Sequence, residues 1–204
     1  MKRLLIVIVT FLFLSNMVIG EENEPKTALL IIDIQEFYFP GEGPGLLNAE
    51  ETSEKASEIL KIFRENEQLV IHVRHKSESG FEIHDNVKPT QDEKLITKEE
   101  INSFNGTDLL EYLKNNKVER LVIVGMQTQM CVEAATRAAY DFGYECIVID
   151  DACTTRDLKY KDTFIKATEV HESTLATMIG GGYAKVIDLE EFKREVNTYL
   201  FKKL

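Results

Sequence analysis

The stretch RLVIVGMQTQMCVEAATRAAYDFGYECIVID (residues 120–150) contains two short apolar runs with an amphipathic segment between them. Short continuous apolar runs are typical of strands in a parallel sheet, where both faces are covered. The amphipathic segment places apolar side chains on one helical face, and Gly143 is a typical residue to end such a helix. The apolar positions are Val132, Ala135, Ala139 and Phe142. The stretch therefore predicts a strand, a helix and a second strand in succession.

The same alternation extends along the rest of the chain. Further strands are predicted at residues 27–33, 69–74 and 184–189, and helices at residues 50–64, after Thr107, at 162–178 and at the C-terminal end. Alternating strands and helices imply right-handed crossovers, so we predict an α/β protein of three layers, α/β/α, with a mostly parallel sheet. The polar, aperiodic residues 75–98 are too many for a simple connection and indicate a functional loop or flap.

The first twenty residues have the pattern of a signal peptide. Lys2 and Arg3 precede an apolar run that is short for a membrane-spanning helix, and small residues follow it. The alternative is an uncleaved membrane anchor. We expect an exported protein, periplasmic or secreted, in which residues 1–20 are the signal peptide and residues 21–204 form one domain.

The chain is acidic, and this limits its partners. Removing Lys2 and Arg3 with the first twenty residues changes the formal net charge from −11 to −13. An acidic surface repels phosphate groups, so we expect no nucleic-acid partner and no stable membrane association after cleavage.

Three cysteines are present, so at least one thiol stays unpaired within the chain. Cys146 and Cys153 flank the apolar residues IVIDDA, and a strand there would hold them about 20 Å apart. A disulfide requires α-carbons within about 7 Å, so these two cysteines are not expected to pair.

Polar residues follow the ends of the predicted strands, where ligands bind in folds of this class. Cys131 lies where a strand gives way to a helix, and the backbone N–H groups there favour a thiolate nucleophile. The alternative is a buried core cysteine. Asp33 ends an apolar strand, where partial burial would raise its pKa toward that of a working base. The alternative for Asp33 is a turn cap. Asp150 and Asp151 mark a third strand end.

None of the four histidines is an obvious partner for a cysteine nucleophile. His72 and His75 point to opposite faces of a predicted strand, and His84 lies in the long loop. His171 falls on the apolar stripe of a helix, which favours a packed or supporting histidine.

A substrate pocket is predicted from polar and aromatic residues near the strand ends, although aromatic residues more often only pack in the core. These pocket residues are Gln35, Phe37, Phe39 and Phe104.

Several spaced motifs resemble the isochorismatase-like cysteine hydrolases, the family that includes nicotinamidase-related amidohydrolases. They are ALLIIDIQ, LITKEEINSFNGTDL, VIVGMQTQMCVEAATRAAYDFGY, IDDACTTRD and EVHESTLATM, and they span nearly the whole chain after residue 20. The resemblance implies a catalytic triad of Asp33, Lys98 and Cys131. Lys98 matches because Phe104 follows it by six residues and Thr107 by nine. Without the resemblance, Lys98 reads as a solvated surface charge.

The resemblance also implies details of the loop that carries the cysteine. A cis peptide bond is expected between Met126 and Gln127, with backbone amides near Met130 and Cys131 as oxyanion donors. The implied reaction is hydrolysis of a small amide-type C–N bond through a thioester on Cys131. A homo-oligomer is expected as well.

No cofactor is expected. Nicotinamidases of this family add a metal site with an Asp-x-His pattern, which this sequence lacks, and Glu82-x-His84 is only a loose echo of it. Two alternatives to a hydrolase remain open from the residues. One is a binding protein that keeps the fold without turnover, and the other is a thiol redox sensor with Cys153 as the partner of Cys131.

Overall fold

The computed structural model describes residues 25–41 and 45–202. The expected signal peptide, residues 1–20, lies outside them. Within the described ranges, no helix is long and apolar enough to cross a membrane.

Eight strands and six helices follow one another along the described chain. The strands are β1 Lys26–Ile32, β2 Leu69–His75, β3 Lys94–Lys98, β4 Val118–Met126, β5 Glu145–Thr154, β6 Leu158–Tyr160, β7 Thr163–Ile165 and β8 Lys185–Ile187. The helices are α1 Ala49–Glu65, α2 Leu109–Asn115, α3 Glu133–Asp141, α4 Ala167–Gly180, α5 Leu189–Arg194 and α6 Val196–Phe201. Short helical turns occupy Glu36–Tyr38, Asp85–Val87 and Thr128–Val132.

Six strands form one sheet in the order β3-β2-β1-β4-β5-β8, and every neighbouring pair is parallel. Strand β1 alternates its side chains between two cores. Leu30 and Ile32 pack with residues of α2, α3 and α4, whereas Leu29 and Ile31 pack with residues of α1, α5 and α6. Helices therefore cover both faces, and the predicted three-layer α/β/α fold with a parallel sheet is confirmed.

The polar segment predicted as a loop or flap contains a strand. Residues 94–98 form β3 at the edge of the sheet, paired in parallel with β2. Only Ile96 and Lys98 of this strand are buried, so the apolar signal is too short to stand out in the sequence. An edge strand has one neighbour, and its exposed positions carry polar residues.

Several other details differ from the prediction, and the strand predicted at residues 184–189 is the shorter β8 Lys185–Ile187. The helix predicted from residue 162 begins at Ala167, because β6 and β7 form an antiparallel hairpin just before it. Asp157 Oδ1 accepts the Ala167 N–H at 2.8 Å and so fixes that start. Phe142, predicted on the buried face of its helix, is 49% exposed and packs at the rim against Phe104.

Gly125 permits the close approach of β4 to β1. Its φ is +140°, and a Cβ added there would lie 2.0 Å from the carbonyl oxygen of Ile32. No other residue type fits this contact without moving the backbone. Because Ile32 precedes Asp33 and Gly125 precedes the loop to Cys131, the contact draws the two strand ends together.

We predict that Gly125→Ala lowers the free energy of unfolding by at least about 3 kcal/mol, because it adds a backbone clash to an unfavourable φ. Gly143→Ala is the control. Its φ is +91°, but no atom lies within 4 Å of the added Cβ. The control should therefore lose only about 1–2 kcal/mol from strain. Urea unfolding measures both, and equal losses would contradict the close-approach argument.

Candidate active site

Three strand ends meet at the point where the strand order reverses. The chain passes from β1 outward to β3 and then returns to place β4 on the other side of β1. Asp33 follows β1 directly, Lys98 is the last residue of β3, and Cys131 lies in the turn after β4. The carboxyl ends of parallel strands at such a reversal form the usual ligand crevice of this fold class.

Asp33, Lys98 and Cys131 are in direct contact. The Lys98 Nζ lies 2.8 Å from Asp33 Oδ2 and 3.2 Å from Cys131 Sγ. The side chains of Asp33 and Lys98 have no exposed surface, and Cys131 is 5% exposed. The structure thus brings together the three residues that the resemblance selected, and Lys98 is not a solvated charge.

Asp33 is held by its backbone while its carboxylate stays available. Its N–H donates to the Val73 carbonyl at 2.9 Å, and its φ is +52°, a conformation that Asp and Asn tolerate better than most residues. The contact with Lys98 is an ion pair of 2.8 Å that lacks the angle of a regular hydrogen bond, and Lys98 and the Cys131 thiol both lie close enough to stabilise the charged carboxylate. Burial raises the pKa of Asp33 and Lys98 opposes that rise. Such a carboxylate can accept a proton.

The Cys131 thiol is protonated in this arrangement. Burial and then the charge of Asp33 raise its pKa to about 12, although Lys98 opposes both. The expectation of an easily ionised thiol at a helix start is therefore wrong for the resting site. The nearby carboxylate and the loss of water outweigh the favourable backbone N–H groups. The thiol must lose its proton as it attacks.

His75 also touches the ammonium, which the sequence did not indicate. Lys98 Nζ lies 3.3 Å from His75 Nδ1, and it donates to the carbonyls of Glu100 at 3.1 Å and Ile101 at 3.3 Å. His75 and Lys98 are paired residues of β2 and β3. A correct prediction of strand β3 beside β2 would have placed His75 next to Lys98.

Gln35 was predicted to line the substrate pocket, and the structure contradicts this. Its side chain is fully buried, and its amide nitrogen donates to the carbonyls of His75 at 3.0 Å and Phe81 at 2.9 Å. Its amide oxygen accepts the His75 N–H at 2.7 Å. Because both amide hydrogens and the oxygen are in use, Gln35 braces the backbone and has no donor left for a substrate.

The three predicted pocket phenylalanines lie in different surroundings. Phe39 stacks on His84 at 3.7 Å and belongs to the core that faces α1, so its prediction as a pocket residue is wrong. Cys131 belongs to the opposite core, and Phe104 shares that core. Phe37 is half-buried in the turn after Gln35 and packs against Gly80.

The loop before Cys131 has the expected cis bond between Met126 and Gln127. The Met130 N–H donates to the Gln127 carbonyl at 3.0 Å, so in this conformation it is not free for an oxyanion, contrary to expectation. Among the described residues, the Cys131 N–H has no acceptor outside its own turn. The Cys131 N–H stays the predicted oxyanion donor.

A polar network surrounds this loop and fixes its side chains. Thr128 Oγ1 lies 2.8 Å from His171 Nδ1, in agreement with a supporting role for that histidine. Gln127 donates to the Tyr38 hydroxyl at 3.4 Å and accepts from Gln129 at 3.3 Å, and Thr155 donates to Gln129. The turn thus rests on side chains that the sequence reasoning did not select for this purpose.

The described residues contain no group of three His, Cys, Asp or Glu side chains that could hold a metal ion. His84, part of the loose echo of a metal motif, instead stacks on Phe39 and accepts the Asn86 N–H through Nδ1. Cys131, Cys146 and Cys153 are all free, as expected for Cys146 and Cys153 because both lie on the one strand β5.

We predict that Asp33→Asn speeds alkylation of Cys131 by iodoacetamide at pH 7 at least about tenfold, the effect of lowering a pKa by one unit. Removing the carboxylate charge leaves the thiolate as the only anionic partner of Lys98. Asn also suits the φ of residue 33. The double variant Asp33→Asn/Lys98→Met is the control and should react slowly again. Peptide mapping assigns the modified cysteine. A slower rate in Asp33→Asn would show that Asp33 activates the resting thiol, and an unchanged rate would show that its charge does not raise the thiol pKa.

The chain is similar to known proteins in both sequence and fold. The isochorismatase-domain family model matches residues 27–180. The isochorismatase family protein YddQ of Bacillus subtilis (strain 168) is 39% identical over 177 residues, covering 81% of this chain and 98% of the relative. A crystal structure of an isochorismatase-fold protein from Oleispira antarctica is 38% identical with a TM-score of 0.78, covering 83% of this chain and 96% of that one.

A shorter match is to an enzyme with a stated reaction. Ureidoacrylate amidohydrolase RutB of Acinetobacter baylyi is 31% identical over 97 residues, which is 48% of this chain and 40% of the relative. The family model covers well over half of the chain, and the 39% identical relative is matched over nearly its whole length. The chain belongs to the isochorismatase family of hydrolases.

Proposed function

We propose that this protein is a cysteine hydrolase that cleaves a small amide-type C–N bond through a thioester on Cys131. The observation that carries the proposal is the buried chain of contacts from Asp33 Oδ2 to Lys98 Nζ at 2.8 Å and on to Cys131 Sγ at 3.2 Å. A nucleophile, a proton acceptor and a charge stabiliser are the parts that covalent acyl transfer requires. The relation to an amidohydrolase supports the choice of a C–N bond.

The first half-reaction moves one proton and forms one bond. Asp33 takes the thiol proton while Sγ attacks the substrate carbonyl carbon, and the carbonyl oxygen becomes an oxyanion. The Lys98 ammonium stabilises the sulfur as its negative charge develops. The Cys131 N–H is the donor we assign to the oxyanion. When the carbonyl re-forms, the C–N bond breaks, and Asp33 returns its proton to the leaving nitrogen.

The second half-reaction uses water. Asp33 takes a proton from a water molecule that attacks the thioester carbon, and the tetrahedral intermediate expels the sulfur. The proton then returns to the sulfur, which restores the thiol and releases a carboxylic acid. Since Cys131 is only 5% exposed, this approach favours a small substrate. Phe37 and Phe104 are the predicted pocket residues that remain compatible with the structure. The Tyr38 ring packs against Phe37 at 4.2 Å, and its hydroxyl accepts a hydrogen bond from Gln127.

We predict that Cys131→Ala lowers kcat by at least about 10⁴-fold on any true substrate, because no other group can form the acyl intermediate. Cys153→Ala is the matched control, since Cys153 is a buried free thiol on β5 and should leave turnover intact. Small amides, ureides and lactams are screened by mass spectrometry for an acyl group on Cys131. A thiol redox sensor would behave differently: Cys153→Ala would abolish its response, and no acyl adduct would form.

We propose on sequence grounds that the protein is exported and assembles as a homo-oligomer. Lys2, Arg3 and the apolar run after them support the first statement.

We predict that protein recovered from its source has an intact mass lower than that of the full chain by residues 1–20. A Lys2→Glu/Arg3→Glu variant should accumulate unprocessed, and a full-length mass outside the cell would contradict the proposal. Analytical ultracentrifugation tests the oligomer.

A further inference from the structure

The Lys98 ammonium has more neighbours than it has protons. Four hydrogen-bond acceptors surround Nζ, namely Glu100 O at 3.1 Å, Cys131 Sγ at 3.2 Å, Ile101 O at 3.3 Å and His75 Nδ1 at 3.3 Å, and Asp33 Oδ2 forms an ion pair with it at 2.8 Å. An ammonium donates only three hydrogen bonds. The place of Nζ is therefore set by competition among these acceptors.

Asp33 attracts the ammonium more strongly than the other neighbours do. Asp33 carries the only charge among these neighbours, and because both side chains are buried its attraction for the ammonium is strong. At 2.8 Å the ion pair is already in contact, so the other neighbours decide whether Nζ stays beside the sulfur or swings around the carboxylate away from it. The neutral acceptors oppose this movement. Glu100 and Ile101 belong to the segment that follows Lys98 and can shift with it, whereas His75 lies on the neighbouring strand β2.

His75 is itself fixed in place. Gln35 accepts the His75 N–H at 2.7 Å and donates to the His75 carbonyl at 3.0 Å. Gln35 stands two residues after Asp33, so the same short segment sets the positions of the carboxylate and of the histidine. The imidazole that contacts Lys98 therefore extends from a backbone position that is hydrogen-bonded to the segment carrying Asp33.

The protonation of the ring follows from its partner. An ammonium has no lone pair, so His75 Nδ1 must be the acceptor in this contact. This contact requires the ring tautomer whose proton is on Nε2. A neutral acceptor adds no charge to the buried group, which distinguishes its effect from that of Asp33.

We propose that His75 is a positioning residue that, through Nδ1, holds the Lys98 ammonium between Asp33 and Cys131. The inference rests on the proposed function for its effect on turnover, but the placement of Lys98 beside the sulfur is independent of any substrate. Among the described residues, the His75 ring has a hydrogen bond to Lys98 and none to the Cys131 sulfur. It acts on the reaction through Lys98.

The test compares His75→Asn with His75→Leu, two side chains of nearly equal shape. Asn keeps an oxygen acceptor close to the position of Nδ1, and Leu removes it. In His75→Leu, kcat should fall at least about tenfold while KM stays within about twofold, because an interaction needed in the transition state is lost. His75→Asn should recover kcat to within about threefold of the unaltered protein. Equal kcat values for the two variants would overturn the proposal.

A second measurement needs no substrate. The rate of Cys131 alkylation by iodoacetamide is followed from pH 8 to pH 11, with Asp33 and Lys98 intact. If Nζ retreats from the sulfur in His75→Leu, the thiolate loses its cation, and the rate should fall at least about tenfold at each pH, as for a thiol pKa raised by one unit. His75→Asn should follow the unaltered protein. Identical profiles for all three proteins would overturn the role of His75.

The two measurements separate the proposals. If no amide, ureide or lactam is turned over but the alkylation rates differ as expected, His75 positions Lys98 and the hydrolase proposal is wrong. If turnover is found and both variants match the unaltered protein, the hydrolase proposal stands and that of His75 is wrong. Thermal unfolding accompanies each assay, and if His75→Leu does not fold, His75→Ala takes its place with the same expected losses.

Discussion

A lysine ammonium without solvent contact is the constraint on which this site depends. A buried charge is costly unless a partner balances it, and Asp33 supplies the balance at 2.8 Å from Lys98. The pair is neutral as a whole, so a second buried anion beside it would leave one charge uncompensated. This explains why the pKa of the Cys131 thiol is raised to about 12 by burial and by Asp33. When the thiol proton passes to Asp33, the total charge of the site stays constant. This proton transfer therefore has the lowest electrostatic cost in the buried site.

The fold delivers this balance by bringing strand ends together. Asp33, Lys98 and Cys131 are far apart in sequence, but β1, β3 and β4 all end at one edge of the parallel sheet. Gly125 allows β4 to approach β1 closely enough for the carboxylate and the cysteine turn to share one cation. Gln35 joins the end of β1 to the end of β2 through both groups of its side-chain amide. The positions of the three side chains are thus set by the edge of the sheet and by the hydrogen bonds of Gln35 that connect its strand ends.

The sequence predicted the layers well because parallel strands are buried on both faces and leave continuous apolar runs. It failed at β3, where an edge strand with two buried residues leaves almost no such signal. That failure hid His75, whose partner is on β3. Lys98 was identified only by family resemblance, because nothing in the sequence distinguishes a buried lysine from an exposed one. Phe39 and Phe104 look alike in sequence and lie in opposite cores, which only the path of the chain decides.

A second carboxylate in the same molecule shows what distinguishes a reactive acid from a structural one. Glu93 accepts hydrogen bonds from Arg64, from the Thr90 N–H and from His72. Although partial burial raises its pKa, these bonds lower it to about 2. Its lone pairs are committed, so it can only hold its neighbours in place. Asp33 is more deeply buried, and burial raises its pKa against the opposing charge of Lys98. Burial thus leaves Asp33 with the greater affinity for a proton, which supports the proposal of Asp33 rather than Glu93 as the base.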